Sequence, residues 1–145
     1  MLCMTNYGRE YIDSCRSKVD AQVSSYRALA AAGAHLRGSS RAQFDAALQA
    51  FEPVYFNNLV LVLENYFVHR SRTLEKKDGN PLNEVRLLCT SMMSNDGKLA
   101  ADKQIRLDPD RSLLGYAIGD EIRVREEDFL RLAEAFFAEI ERKFL

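Results

Sequence analysis

Asn65 and His69 stand four residues apart in VLENYFVHRSR, residues 62–72, a segment that is otherwise strongly apolar. On an α-helix that spacing puts both side chains on one face, one turn apart. An imidazole titrates nearest neutral pH of all side chains, so His69 is the candidate acid, base or ligand-binding group, with the Asn65 amide placed to position it. At about 100° per residue, Asn58, Asn65, His69 and Arg72 share one narrow sector with Val62 between them, while Asn57, Glu64 and Ser71 form a second line. An unpartnered buried amide or imidazole costs about 1–3 kcal/mol. The stripe therefore closes on itself as a structural network with Glu64 taking an arginine, lines a small binding cleft, or faces solvent.

A second group lies in DGNPLNEVR, residues 78–86. Asn80 followed by Pro81 reads as an N-cap and first helical position. Glu84 and Arg86 then fall in the opening turns of that helix, where they either pair between helices or converge on His69 across the hairpin. In the second case Glu84 or Glu64 orients the imidazole, as carboxylates do beside general bases.

Glu64-Asn65-Tyr66-Phe67-Val68-His69 resembles the motif of HEPN domains, which commonly reads Arg-Asn, three residues, His. The resemblance implies a small helical bundle, self-association and a metal-independent ribonuclease site built on Asn65 and His69, with RNA as substrate. Glu64 stands where the family's catalytic arginine belongs, so Arg70 or Arg72 would have to supply the positive charge.

Other chemistries find little to work with. The chain has two histidines, and His35 lies far from His69 at the end of a helical pattern. Neither a His or Cys pair at ligand spacing nor a glycine-rich phosphate loop is present, so no metal and no cofactor is expected. Cys3, Cys15 and Cys89 are odd in number and widely spaced, which points to a reducing, cytoplasmic setting. The start turns polar after four residues, unlike a secretory leader. Leu59–Leu63 is far short of the ~20 apolar residues of a membrane span, so no membrane anchor is expected. Twenty basic residues against 21 acidic give a net charge of −1, which excludes a global field for polyanions.

The elements that must carry these residues read mainly as helices. Apolar residues recur every three or four positions from Tyr11 to Leu36, and Gly38 suits the left-handed turn that follows, with a serine to cap the next helix. That second helix meets Pro53, which should kink or break it, and resumes through about Leu74. A helix from Pro81 buries Leu82, Val85, Leu88, Cys89 and Met92 and stops at Asn95-Asp96-Gly97. Residues 98–125 alternate polar with apolar around turn signals and predict a small irregular β excursion. From Glu126 a final helix puts Phe129, Leu132, Ala133, Phe136, Phe137, Ile140 and Phe144 on one face. The expectation is one domain over residues 1–145, an all-α bundle of four to five helices in which the Phe51–Phe67 segment packs on the last helix. Exposed edges of the 98–125 arm and spare apolar helix surface predict a homodimer, with a further protein partner possible. Two functions compete: a cytoplasmic interaction or regulatory protein without catalysis, and a HEPN-like ribonuclease using His69.

Overall fold

The computed structural model describes residues 3–145 and is a helical bundle. α1 spans Arg9–Ala32, α2 Gly38–Tyr66, α3 Arg72–Glu75, α4 Pro81–Ser94 and α5 Glu126–Phe144, with a single 3-10 turn at Gly33–His35. The first helix ends at Ala32, short of Leu36, and the chain tightens into the 3-10 turn from Gly33. A Cβ there would lie 2.0 Å from the Phe44 ring, so the glycine lets the α1–α2 hairpin close tightly. Gly38 adopts φ +59, but no serine caps α2, whose N-cap is Arg37 without a side-chain bond.

Pro53 does not break α2. The missing N–H leaves the Gln49 carbonyl without its helical donor, and Arg125 fills that role from the start of α5, Nη1 donating to it at 3.0 Å. Arg125 also pairs with Glu52 at 3.3 Å, and Glu52 accepts the Glu126 N–H at 2.9 Å.

α2 does end earlier than its apolar pattern implies. Phe67 leaves helical geometry at φ −129 and ψ 27, and residues 67–69 form a turn. The cause lies in the N-terminal segment. The Met4 N–H donates to the His69 carbonyl and the Ser71 N–H to the Met4 carbonyl, both at 2.8 Å, making a one-residue parallel bridge. Those backbone groups are thereby lost to a continuing helix. Ser71 instead caps α3, its Oγ accepting from the Leu74 N–H.

The core follows the predicted faces. All seven apolar residues named for α5 are buried, and Phe56 meets Phe129 at 5.5 Å while Phe67 meets Phe136 and Phe137 at 5.8 and 6.0 Å between ring centroids. α4 runs between α2 and α5 and is buried almost all round, from Leu82 to Cys89. Its start is as expected, Asn80 Oδ1 accepting from the Leu82 and Asn83 N–H groups at 2.9 and 3.3 Å. Asp96 and Gly97 turn the chain at its end with φ of 54 and 73.

The arm at residues 98–125 is extended without becoming a sheet. Its backbone makes one isolated antiparallel bridge, Lys98 to Glu121. Ile105, Ile122 and Val124 point into the core, which accounts for the alternation, but side chains of neighbouring helices take the place of a partner strand. Asn57 of α2 donates to the Ile122 carbonyl and accepts from the Val124 N–H, both at 2.9 Å, as a strand residue would. Asn57→Ala is expected to cost about 1–3 kcal/mol in chemical denaturation, with increased amide exchange confined first to residues 122–124.

Candidate functional site

Where α2 ends, the polar residues of VLENYFVHRSR divide between two environments. Glu64 and Arg70 turn inward, whereas Asn65 and His69 turn outward.

The inward set is an ionic cluster. Arg70 has a completely buried side chain whose guanidinium donates to Glu75, to Glu64 Oε1 at 2.7 Å, and to the Phe67 and Leu82 carbonyls at 3.1 Å each. Arg86 reaches in from α4, donating from Nη2 to Glu75 Oε1 at 2.6 Å and from Nε to Oε2 at 3.0 Å, and lies 3.5 Å from Glu64. Asn83 completes the shell, its amide donating to Glu75 Oε2 at 3.0 Å and to the Lys76 carbonyl at 2.9 Å. Two guanidinium groups thus face two carboxylates, and the set is neutral. Burial pushes Glu75 up, but the hydrogen bonds and charges of Arg86 and Arg70 outweigh it and hold the carboxyl below its ordinary value. Among the described residues no buried side-chain nitrogen or oxygen lacks a partner, so the cluster offers no unused group to a ligand.

The outward set lines an open groove of about 500 Å³ between the N-terminal segment and the end of α2. Its walls are Met4, Asn6, Tyr7 and Tyr11 on one side and Asn65, Tyr66, Val68 and His69 on the other. Phe67 lies beneath, with Tyr7 and Tyr11 edge-on to it at 5.0 and 5.6 Å. The Tyr11 hydroxyl donates to the Tyr66 carbonyl across the groove. Burial, then bonding with Cys15, pushes the Tyr11 phenol up to about 12, which leaves it neutral at physiological pH. No lining residue carries a formal charge other than what His69 itself can acquire.

Several expected convergences do not form. Arg72 begins α3 and is exposed, so it does not extend the α2 stripe. Asn58 is exposed and bonds only along its own helix, Nδ2 donating to the Val54 carbonyl at 2.8 Å. Arg86 serves the ionic cluster and not His69. Glu84 points the other way, accepting the Leu113 and Leu114 N–H groups at 2.9 and 3.0 Å and anchoring the arm. Burial raises its carboxyl above the ordinary range despite those bonds. Glu75, Asn83 and the Met4 bridge carry more of the site than their sequence pattern indicates. Glu75 sits in a charged run, LEKKDG, whose pattern is that of a solvated turn.

Compared with family models, with curated proteins and with solved structures, the chain matches none. Fold and site together define a helical bundle with a sealed ion cluster and an adjoining uncharged groove.

Proposed function

We propose that this chain is a cytoplasmic interaction protein without catalysis of its own, and that the groove beside His69 receives an uncharged, partly aromatic segment of a protein partner. The observation that carries this reading is the division of charge. Both arginines near His69 in the fold's interior, Arg70 and Arg86, are consumed by Glu64 and Glu75, while the groove presents tyrosine rings, an amide and an imidazole. Rigid aromatic surface with a few hydrogen-bonding groups suits recognition of a peptide. Phosphate-transfer chemistry needs charge stabilisation of the developing oxyanion, and the cation nearest His69 in sequence is locked away. Free, unpaired Cys15 and Cys89 in the core support the cytoplasmic setting.

The ribonuclease reading keeps one observation in its favour, the exposure of His69 and Asn65 in a common groove. One pair of measurements separates the two. Peptides selected from a displayed library on the native chain are expected to lose binding to Val68→Glu, which places a charge in the groove at an exposed position. Labelled single-stranded RNA is expected to stay intact with native protein. Cleavage that disappears in His69→Ala would instead establish the nuclease. As a surface substitution, His69→Ala is expected to shift unfolding by no more than about 0.5 kcal/mol.

A further inference from the structure

Two short charged runs, RTLEKKDG at residues 72–79 and ADKQIR at residues 101–106, are separated in the sequence and meet in the fold. α3 and its end bring Arg72, Lys76 and Lys77 to one side of a narrow cleft, and Asp102, Gln104 and Ile105 of the arm line the other. The two sides are fastened together. Lys77 Nζ donates to Gln104 Oε1 at 2.6 Å, and Gly79 packs so closely on the Arg106 carbonyl that a Cβ there would lie 2.5 Å from its oxygen. Lys103 and Arg106 alternate along the chain with the arm residues that line the cleft, and both are exposed, as are Arg72, Lys76 and Lys77.

Gathered like charges repel, and elsewhere the chain answers them with carboxylates, as it does for Arg70, Arg86, Arg125, Arg131 and Arg142. Among the described residues none of the five around the cleft is paired in this way. The carboxylates close by are engaged. Glu75 is committed inward to Arg70 and Arg86, Asp102 Oδ1 accepts the Gln104 and Ile105 N–H groups, and Asp78 Oδ1 accepts from Asn80. A second, independent feature sits at the same place. Lys76 has φ 67 and ψ −179, a conformation that is essentially glycine's alone. It is held there by its N–H, which donates to the Arg72 carbonyl at 3.1 Å, and by its carbonyl, which accepts from Asn83 Nδ2 at 2.9 Å. The fold thus tolerates backbone strain where the residue is a lysine facing the cleft.

We infer that Arg72, Lys76, Lys77, Lys103 and Arg106 form a docking surface for a short acidic stretch of a partner protein. Charge complementarity selects the sign of the occupant, and the cleft's makeup selects its kind. No aromatic ring lines the cleft for bases to stack on, and Asp78, Asp102 and Asp108 border the basic residues in the chain, so a long phosphate backbone running past them would meet carboxylates. A few glutamates or aspartates in a peptide end within the patch. The surface is distinct from the uncharged groove beside His69 and opposite to it in chemistry, so it does not depend on what that groove receives.

Fluorescence anisotropy with a labelled hexaglutamate peptide at low ionic strength tests it. Native protein is expected to bind saturably and to release the peptide as salt is added. Arg72→Gln combined with Lys103→Gln is expected to weaken binding at least about tenfold. Lys18→Gln combined with Arg37→Gln removes the same charge from exposed positions on α1 and at the start of α2, and is expected to leave affinity within about twofold. Lys76→Gly separates docking from folding: it is expected to raise the urea midpoint by relieving the strain and yet to weaken the peptide complex several-fold. Absence of saturable binding to native protein overturns the inference, as does an equal loss in the two double variants, which would reduce the effect to net charge. Full-strength binding by Lys76→Gly overturns it as well. Tighter binding of single-stranded RNA than of the peptide, or flotation with phosphatidylserine vesicles, would assign the patch to a phosphate-bearing partner and overturn it too. Val68→Glu, which blocks the groove, is expected to leave hexaglutamate binding unchanged, so the groove and the basic patch stand or fail separately.

Discussion

Arg70→Met is expected to lower the unfolding free energy by about 3–5 kcal/mol, the cost of removing one member of a buried, hydrogen-bonded ion set. The loss is large against the 5–15 kcal/mol by which domains of this size are stable. Arg70 is the point where three helices meet: it holds Glu64 and the Phe67 carbonyl at the end of α2, Glu75 of α3 and the Leu82 carbonyl at the start of α4. Methionine keeps much of the length of the side chain but satisfies none of these acceptors and loses the guanidinium, whose carbon lies 5.7 Å from the Phe136 ring centroid. Lysine is expected to fail nearly as badly, because an ammonium cannot present the planar fork that reaches several acceptors at once. Urea denaturation gives the loss, and the double variant Arg70→Met, Glu75→Met gives its origin. If the penalty comes from stranded charge, the double variant loses clearly less than the sum of the single variants. An additive result would mean that lost packing, not charge, dominates. The substitution also reaches the groove, since Arg70 lies between His69 and Ser71, whose backbone groups hold the Met4 segment in place.

Local signals carried most of the fold. The Asn80-Pro81 start, the Asp96-Gly97 stop and the α5 face depend on neighbours in sequence, and each formed as the pattern required. Distant partners decided the rest. Pro53 would end an isolated helix, yet Arg125, far along the chain, supplies the donor that the proline removes. The apolar repeat through Phe67 would continue α2, yet Met4 takes the backbone groups of residues 69 and 71. The alternating arm at 98–125 would be a strand, yet Asn57 and Glu84 bind its backbone as a sheet partner would. The site shows the same division. Helical periodicity placed Asn65, His69 and Arg72 on one stripe, and the early end of α2 dispersed that stripe while leaving Asn65 and His69 in one groove. That Glu64 pairs with arginine was legible as one possibility. That the pairing seals Arg70 away from His69 depends on Glu75 and Arg86, neither of which sequence spacing connects to it.

Glu75→Gln is expected to cost a comparable amount, about 3–5 kcal/mol at neutral pH, and to flatten the acid limb of stability. The native carboxyl accepts bonds from Arg70, Arg86 and Asn83, and its folded value lies below the ordinary carboxylate range. A depressed folded value means that the unfolded chain binds the proton more readily. The stabilisation is therefore fully present above the unfolded value and is lost as pH falls from there through the lower folded value. Glutamine removes that proton uptake, so the variant begins less stable and changes less with acid. Glu84 works in the opposite sense. Its folded value is raised, so acidification relieves a penalty instead of creating one, and part of the Glu75 slope is hidden in the native protein. Glu84→Gln is accordingly expected to steepen the acid limb while weakening the hold on Leu113 and Leu114. Unfolding midpoints in urea between neutral pH and pH about 3 distinguish the three curves, since a carboxyl of ordinary pKa titrates near 4.3. A Glu75→Gln curve that runs parallel to the native one would show that the cluster's charge does not stabilise the fold, and a shallower curve for Glu84→Gln would reverse the sign assigned to the arm's anchor.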